Sequence, residues 1–226
     1  MQISLHGHTD TINDPKYEAA VKHTAEVFEE ALKIFGDISH GNHGDWKVKD
    51  EKDGHKCFKK RYNLGKVYWV PVETNVSIED AFLDHWDKIE RTPEWNKNTA
   101  AVEKVATLTD HVDIIHYATA PISVMQGRDL VVCRMWRKID NDYVIVASGF
   151  ETDIKPFDKK TRAKANVIAG RIRSLGGNKV HFDFLVSVEL NEKAIPEHVL
   201  SNHVAELALK DALAGKVYYE ATYGKH

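Results

Sequence analysis

Residues 127–137 read Gly-Arg-Asp-Leu-Val-Val-Cys-Arg-Met-Trp-Arg, a pattern typical of a β-strand that is apolar on both faces but has an arginine in its middle. Side chains alternate along a strand, so one face carries Leu130, Val132, Arg134 and Trp136. A guanidinium keeps its charge, and an unpaired one in apolar surroundings costs several kcal/mol. Arg134 is therefore expected either to pair with an acid at the sheet edge or to form the polar end of an apolar cavity.

Further strands are predicted on both sides of this segment. Turn signals at Asp53-Gly54, at residues 140–142 and at Gly176-Gly177 join neighbouring strands into antiparallel hairpins. The predicted strands lie at 46–49, 57–62, 66–73, 101–107, 111–119, 129–139, 143–150, 161–173 and 179–190.

The strand predicted at 179–190 alternates cleanly between apolar and polar residues. Its polar face carries His181, Asp183 and Ser187. Antiparallel sheets commonly have one solvated face, so we expect these three side chains to face water.

Three helices complete the predicted architecture. Asp14 is the expected N-cap of a helix that runs to Phe35, and Ser77 is the expected N-cap of a second helix. The second helix should end at Glu90, and a long helix should occupy residues 196–219. One antiparallel sheet with long helices in the first and last positions is an α+β arrangement.

Length and composition limit the function. The chain has 226 residues and a formal net charge of −3, so it lacks the basic character of a nucleic-acid-binding protein. Cys57 and Cys133 are far apart and are expected to be reduced thiols. No apolar stretch has the length of a membrane span or the position of a secretory signal. We predict a monomeric cytoplasmic protein, one structural unit made of an N-terminal extension and helix (1–44) and a ligand-binding domain (45–226).

The sequence contains no pattern typical of a metal or catalytic site. Thirteen histidines are present, but those near the N-terminus and in the glycine-rich loop lack the spacing of zinc ligands. There is no Gly-x-Ser-x-Gly elbow and no glycine-rich phosphate loop. We therefore expect no metal, no cofactor and no catalytic residues.

Several short motifs occur in the order found in a known family. They are Trp46-Lys-Val, Pro93-Glu-Trp-Asn96, Gly127-Arg-Asp-Leu-Val131, Ser148-Gly149, Thr161-Arg-Ala163, Gly176-Gly177, and Val188-Glu-Leu190 followed by Ile195-Pro196. Over residues 45–219 the chain resembles the START domain, a lipid-transfer family, and is most similar to its sterol- and carotenoid-binding branch. The resemblance implies a helix-grip fold, in which a curved antiparallel sheet wraps around a long C-terminal helix and encloses a lipid cavity.

The resemblance also assigns residues to the polar part of that cavity. Arg134 stands at the family's pocket arginine, and Asn96 matches a pocket-lining asparagine. In the sterol-binding branch the arginine pairs with an acid on the preceding strand, a place that falls here at His116 or Tyr117. Neither is an acid, so Arg134 is expected to bind a polar group of the ligand. Alternatively, it donates to a neutral His116 or pairs with Asp211 of the last helix.

Other residues are assigned to the wall and entrance of the cavity. The expected wall residues are Trp136, Ser148, Phe150, Val204 and Leu207; for all of them except Ser148, a place in the core is the alternative. Residues 120–126 form a connection too long for a tight hairpin. Its apolar residues Ile122, Val124 and Met125 are expected either to pack beneath the loop or to form a gate that touches membrane or passing lipid.

Three functions are compatible with these features. The first is the binding and transfer of one hydrophobic lipid, such as a sterol or carotenoid, with transient membrane contact. The second is a small enzyme on the same fold, in which His116, Tyr117 and Arg134 act on a polar intermediate. The third is a ligand-gated interaction module that uses the helix at 17–35. We favour the first, because a cavity with one polar end suits a mostly apolar ligand.

Overall fold

The computed structural model describes residues 1–41, 43–121 and 125–224. Its helices are α1 (Glu18–Ser39), α2 (Ile78–Trp86), α3 (Thr92–Trp95) and α4 (Glu197–Tyr223). Its strands are β1 (Gln2–Leu5), β2 (His8–Thr11), β3 (Lys47–Lys52), β4 (His55–Tyr62), β5 (Gly65–Asn75), β6 (Thr99–Thr109), β7 (Val112–Thr119), β8 (Arg128–Ile139), β9 (Asp142–Gly149), β10 (Thr161–Arg162), β11 (Lys164–Gly176) and β12 (Lys179–Glu189).

Ten of the strands in the described part of the chain form one sheet, in the order β3-β4-β5-β12-β11-β9-β8-β7-β6, with β10 beside β8. Among the described strands only β10 pairs in parallel, and the neighbours along the main path are antiparallel. The long helix α4 packs on one face of the sheet against β3, β4, β5 and β12, while α1 packs against β8, β9 and β11. The predicted α+β helix-grip fold, with its additional N-terminal helix, is confirmed.

Both predicted helix caps are present. The Asp14 carboxylate accepts a hydrogen bond from the backbone N–H of Lys16 at 2.9 Å, and the Ser77 hydroxyl accepts one from that of Asp80 at 3.1 Å. These side chains satisfy N–H groups that have no partner within the first turn. None of the described helices is long and apolar enough to cross a membrane.

Helix α1 covers one face of the sheet with an apolar stripe. Val21, Phe28, Ala31 and Phe35 recur along it at helical spacing and are fully or almost fully buried. Burying one such large apolar side chain contributes about 1.5–3 kcal/mol. The N-terminal helix is therefore an integral part of the core on this face.

The structure corrects a predicted helix end and adds a hairpin. The second helix ends at Trp86 rather than Glu90. No strand was predicted in the N-terminal extension, but this polar segment forms the β1–β2 hairpin. Its turn residues His6 and Gly7 both have positive φ, which matches a tight hairpin turn.

The polar face of β12 was expected to face water, and this expectation is wrong. Asp183 is fully buried and accepts hydrogen bonds from Trp69 Nε1 at 3.0 Å and Arg171 Nη2 at 2.7 Å. Arg171 in turn donates to the Ser39 hydroxyl at the end of α1. Alternation was predicted correctly, but the position of α1 over this face was not evident from the strand itself.

Both cysteines are free and buried. Burial is the main reason why the pKa of each thiol, Cys57 and Cys133, is raised to about 12. Because the thiolate is the reactive form, both side chains are chemically inert at neutral pH.

Candidate functional site

A cavity of about 280 Å³ lies between α4 and the face of the sheet opposite α1. Side-chain alternation turns one set of strand residues into this space and the other set towards α1. The cavity wall is mainly apolar and includes Val70, Leu130, Val132, Phe184, Val204 and Leu207. The expected cavity residues Val204 and Leu207 thus lie on its wall.

Helix α4 closes the cavity and is held near both of its ends. Its cavity-facing residues include Val204, Ala208, Asp211 and Gly215, spaced three or four residues apart. Near its start, the hydroxyls of Ser201 and Tyr68 lie 2.6 Å apart. Near its end, the Tyr223 hydroxyl donates to Asp84 of α2 at 3.0 Å. The middle of α4 therefore lies across the cavity as a lid.

Arg134 lines the cavity but already has an acidic partner. Its Nε and Nη2 donate to the two carboxylate oxygens of Asp113 on β7, at 2.8 and 2.6 Å. Asp113 and Arg134 are directly opposite each other in the β7–β8 pairing. The expectation that the preceding strand offers no acid is therefore wrong, as are the expected contacts of Arg134 with His116 or Asp211.

The remaining donors of Arg134 bind the C-terminal end of α2. Nη1 and Nη2 donate to the carbonyl oxygens of His85 and Trp86 at 2.8 and 3.0 Å. The guanidinium also lies over the Trp86 ring, 4.3 Å from its centre. Four of its five N–H groups are thus used, which leaves little capacity for a ligand.

His85 lines the cavity beside this ion pair. Burial is the main reason why the pKa of its imidazole is lowered to about 4. The ring is consequently neutral at pH 7 and adds no charge to the cavity.

A second polar group lies on the lid, at Asp211. Its Oδ1 accepts hydrogen bonds from the side-chain amides of Asn96 and Asn98, each at 3.0 Å. Burial raises the pKa of this carboxyl to about 6, although the two amide donors act in the opposite direction. Asn96 and Asp211, both expected at the cavity, do line it.

Tyr117, the remaining predicted polar residue of the cavity, lines it as well. Its hydroxyl lies 2.9 Å from that of Thr99. Burial, followed by the nearby charge of Asp211, raises the pKa of Tyr117 above its usual range. The phenol therefore stays protonated at the same end of the cavity as Asp211.

The structure corrects the assignment of His116 to the cavity. As the residue adjacent to Tyr117 on β7, it points to the opposite face of the sheet. There its Nε2 is hydrogen-bonded to the carboxylate of Asp129, and its ring stacks on Phe157 with centres 3.8 Å apart. The sequence could not choose between His116 and Tyr117, and the pairing register places Tyr117 inside.

Ser148, Phe150 and Trp136 were also expected to line the cavity, and they do not. The Ser148 hydroxyl lies 2.8 Å from that of Thr24 on α1, while Phe150 packs edge-on against Tyr17. Both residues therefore belong to the α1 face. Trp136 is on the same side of β8 as Arg134, but Phe82 of α2 covers it.

The expected gate is described only in part. Met125 is buried and lines the cavity, whereas Ile122 and Val124 lie outside the described residues. Next to Met125, Arg128 donates to the carbonyl oxygens of Gln126 and Leu190, each at 2.7 Å. Its Nη2 also lies 3.3 Å from Glu192. Arg128 thus joins the predicted gate to the connection between β12 and α4.

Sequence reasoning missed His85 and Arg128 as cavity residues and Asp113 as the partner of Arg134. Asp113 shares a strand face with Tyr117, a signal that was available once the strand at 111–119 was predicted. No such signal existed for His85, because its place depends on how α2 packs against the sheet.

The chain was compared with protein families and known structures. The START domain model matches residues 26–217. Steroidogenic acute regulatory-like protein 1 of Caenorhabditis elegans is 26% identical over 226 residues, which cover 96% of this chain and 86% of the relative.

Solved structures show the same fold. Human StAR-related lipid transfer protein 5 has a TM-score of 0.74 at 17% identity, over 90% of this chain and all of that chain. Human STARD10 has a TM-score of 0.65 at 19% identity, over 84% of this chain and 82% of that chain. The family match extends over most of the sequence, including the sheet and nearly all of the lid; the chain belongs to the START domain family.

Proposed function

We propose that this chain binds a single lipid in the cavity and carries it between membranes. The observation that carries the proposal is the mainly apolar wall closed by α4. Burying about 400 Å² of apolar ligand surface, at ~25 cal/mol per Å², contributes roughly 10 kcal/mol before the cost of association. A lipid can thus be held by shape, while a few polar groups fix its orientation.

More specifically, we propose that the ligand is a sterol or a carotenoid. We also propose that the carrier is a monomer in the cytoplasm. The name of the Caenorhabditis elegans relative supports the sterol assignment. Two buried free thiols are compatible with a reducing compartment. The enzymatic alternative needs His116, Tyr117 and Arg134 in one site, but His116 lies on the other face of the sheet from the cavity. These three residues do not form a catalytic group.

Native mass spectrometry of the freshly purified protein, followed by lipid extraction, tests the proposal. We expect one lipid per chain and its loss to acceptor vesicles on incubation. A protein that is empty when purified, and that binds neither sterols nor carotenoids when they are supplied, would contradict lipid carriage.

Lipid exit requires the lid and the neighbouring gate to separate. We assign the gate to Ile122, Val124 and Met125. Two described residues support this assignment: Met125 lies on the cavity wall, and Arg128 beside it contacts Leu190 and Glu192. Opening at a membrane surface would expose the cavity to the bilayer instead of water.

A group of basic side chains beside the start of α4 supports membrane contact. This basic edge consists of Lys47, Lys49, Lys59, Arg61 and Lys66, and the acid beside it is Glu197, which pairs with Lys66. Burial, followed by the charges of Lys49, Lys66 and Lys47, lowers the pKa of Lys59. The Lys59 ammonium also lies 3.5 Å from the Ser201 hydroxyl on α4. A basic surface next to the lid is suited to an anionic bilayer, which attracts each nearby lysine by about 1 kcal/mol.

Reversing two charges of the basic edge, Lys47→Glu with Lys49→Glu, is expected to slow transfer to phosphatidylserine-containing vesicles about tenfold or more. Transfer to pure phosphatidylcholine vesicles should be unchanged, as should equilibrium lipid binding. The matched control is Lys22→Glu on the exposed face of α1. Equal slowing with both kinds of vesicle would contradict an electrostatic role for this edge.

A further inference from the structure

Most charged residues on the cavity wall form an ion pair with a neighbouring residue of opposite charge. Arg134 pairs with Asp113, Arg128 with Glu192 and Lys216 with Glu220. Asp183 contributes to the wall with its side chain turned to the α1 face, where Arg171 pairs with it. Among the charged wall residues that the structure describes, Asp211 alone has no oppositely charged partner.

The amides around Asp211 are held in one orientation. The backbone N–H of Asn98 donates to Asn96 Oδ1 at 3.0 Å. This bond identifies the NH₂ end of the Asn96 side chain as the end that faces Asp211. Asn98 supplies a second NH₂ group to the same oxygen, Oδ1. The pair of asparagines therefore fixes the position of the carboxylate on the lid.

The second oxygen of this carboxylate is available to a ligand. Within residues 1–41, 43–121 and 125–224, no side chain or backbone group donates a hydrogen bond to Asp211 Oδ2. The side chain is only half-buried by its accessible surface, yet burial raises its pKa to about 6. Because Asp211 lines the cavity, the accessible part of its side chain faces the cavity and not bulk water.

We propose that Asp211 Oδ2 binds the head of the lipid, and that this head is a hydrogen-bond donor, a hydroxyl or an amine, rather than an anion. At neutral pH a carboxylate only accepts hydrogen bonds, and it repels a carboxylate or phosphate head. Tyr117, with its protonated hydroxyl, lies at the same end of the cavity. The proposal deepens the proposed function and rests on it, because it requires a lipid in this cavity.

The position of Asp211 also has a cost for folding. The pKa of this carboxyl is higher in the folded chain than in the unfolded chain. Its ionisation at pH 8 therefore favours the unfolded chain and lowers the stability of the fold. The variant Asp211→Asn should consequently be at least as stable as the unchanged protein at this pH. A group that lowers stability and faces a ligand cavity is typical of a binding function.

Two series of lipids with matched bodies and different heads test the proposal. One is cholesterol, its methyl ether and cholesterol sulfate; the other is octadecanol, octadecylamine, methoxyoctadecane and octadecanoate. Affinities are measured for the unchanged protein, for Asp211→Asn, and for the control Asp87→Asn, which makes the same chemical change at an exposed residue outside the cavity. Asp211→Ser provides a second variant without the carboxylate.

The unchanged protein should prefer each alcohol to its methyl ether by about ten- to a hundredfold, the range of a hydrogen bond to a charged group. In Asp211→Asn this preference should fall to a few-fold, and the anionic member of each series should bind more tightly. Asp87→Asn should keep the original preferences. The octadecanol and octadecylamine affinities then distinguish a hydroxyl head from an amine head.

Each other outcome has a defined meaning. If the methyl ethers bind as tightly as the alcohols, or if both Asp211 variants keep the preference, the proposal for Asp211 is overturned while lipid binding stands. If no member of either series binds the unchanged protein, the proposal for Asp211 is overturned. The proposed function fails as well only when the protein is also empty on purification and binds no carotenoid.

Discussion

Replacing Arg134 with methionine is expected to lower the free energy of unfolding by about 3–5 kcal/mol, because it leaves the buried Asp113 carboxylate without its partner. The change also removes the donors to the carbonyl oxygens of His85 and Trp86. These carbonyls are at the C-terminal end of α2, where a positive charge is favourable. Chemical denaturation followed by fluorescence measures the loss. Lipid preference should change less than stability, because the ligand head is assigned to Asp211.

The double variant Arg134→Met with Asp113→Leu separates the ion pair from the packing around it. With both charges removed, we expect at least half of the lost stability to return, since an apolar pair of similar size can replace a buried ion pair. Arg61→Met, at an exposed position on β4, is the matched control and should change stability by less than about 0.5 kcal/mol. A stable Arg134→Met protein with altered lipid selectivity would instead make Arg134 a ligand anchor.

The second large effect is expected at Asp183. This fully buried carboxylate accepts hydrogen bonds from Arg171, Arg173 and Trp69. Asp183→Asn keeps the size of the side chain but removes its charge, and the buried Arg171 then has no oppositely charged partner at this position. We expect a loss of about 2–4 kcal/mol at pH 7, measured by the same denaturation experiment.

The lowered pKa of Asp183 predicts that the stability of the protein depends on pH. Burial opposes the ionisation of Asp183, but the hydrogen bond from His181 and the charge of Arg171 outweigh it and hold its pKa well below the usual range. The unfolded chain therefore takes up this proton first, near pH 4, as the pH falls. The contribution of Asp183 is complete above that pH and is lost progressively below it.

Unfolding measured at several pH values between 7 and 3 gives the comparison. The stability difference between the unchanged protein and Asp183→Asn should be largest at pH 7 and shrink below about pH 4. Other carboxyl groups titrate in both proteins and so cancel in the difference. A difference that stays constant down to pH 3 would show that the charge of Asp183 does not stabilise the fold.

Local patterns in the sequence were sufficient to predict most of the fold. Asp14 and Ser77 cap their helices as expected, and the spacing of apolar residues placed α1 and α4 correctly. The β1–β2 hairpin was missed because its strands are short and polar. Its anchor is remote in sequence: Arg137 donates to Asp10 at 2.6 Å, and no local pattern connects these two residues.

The site was less predictable, because it depends on which face each strand turns to the lid. Tyr117, Asn96 and Asp211 line the cavity, whereas His116 and Ser148 lie on the α1 side of the sheet. A shift of one residue moves a strand side chain to the opposite face. The β7–β8 connection is too long for turn chemistry to fix the pairing register, so the pairing of Asp113 with Arg134 could not be derived.

The two inert cysteines have a practical consequence for following the lid. Because Cys57 and Cys133 are buried and protonated at neutral pH, thiol-specific dyes will not label them in the folded protein. A new cysteine at Val217, which lies on α4 with 66% of its surface exposed, would be the single labelling site. Its fluorescence could then report the motion of the lid helix at a bilayer, with both native cysteines left in place.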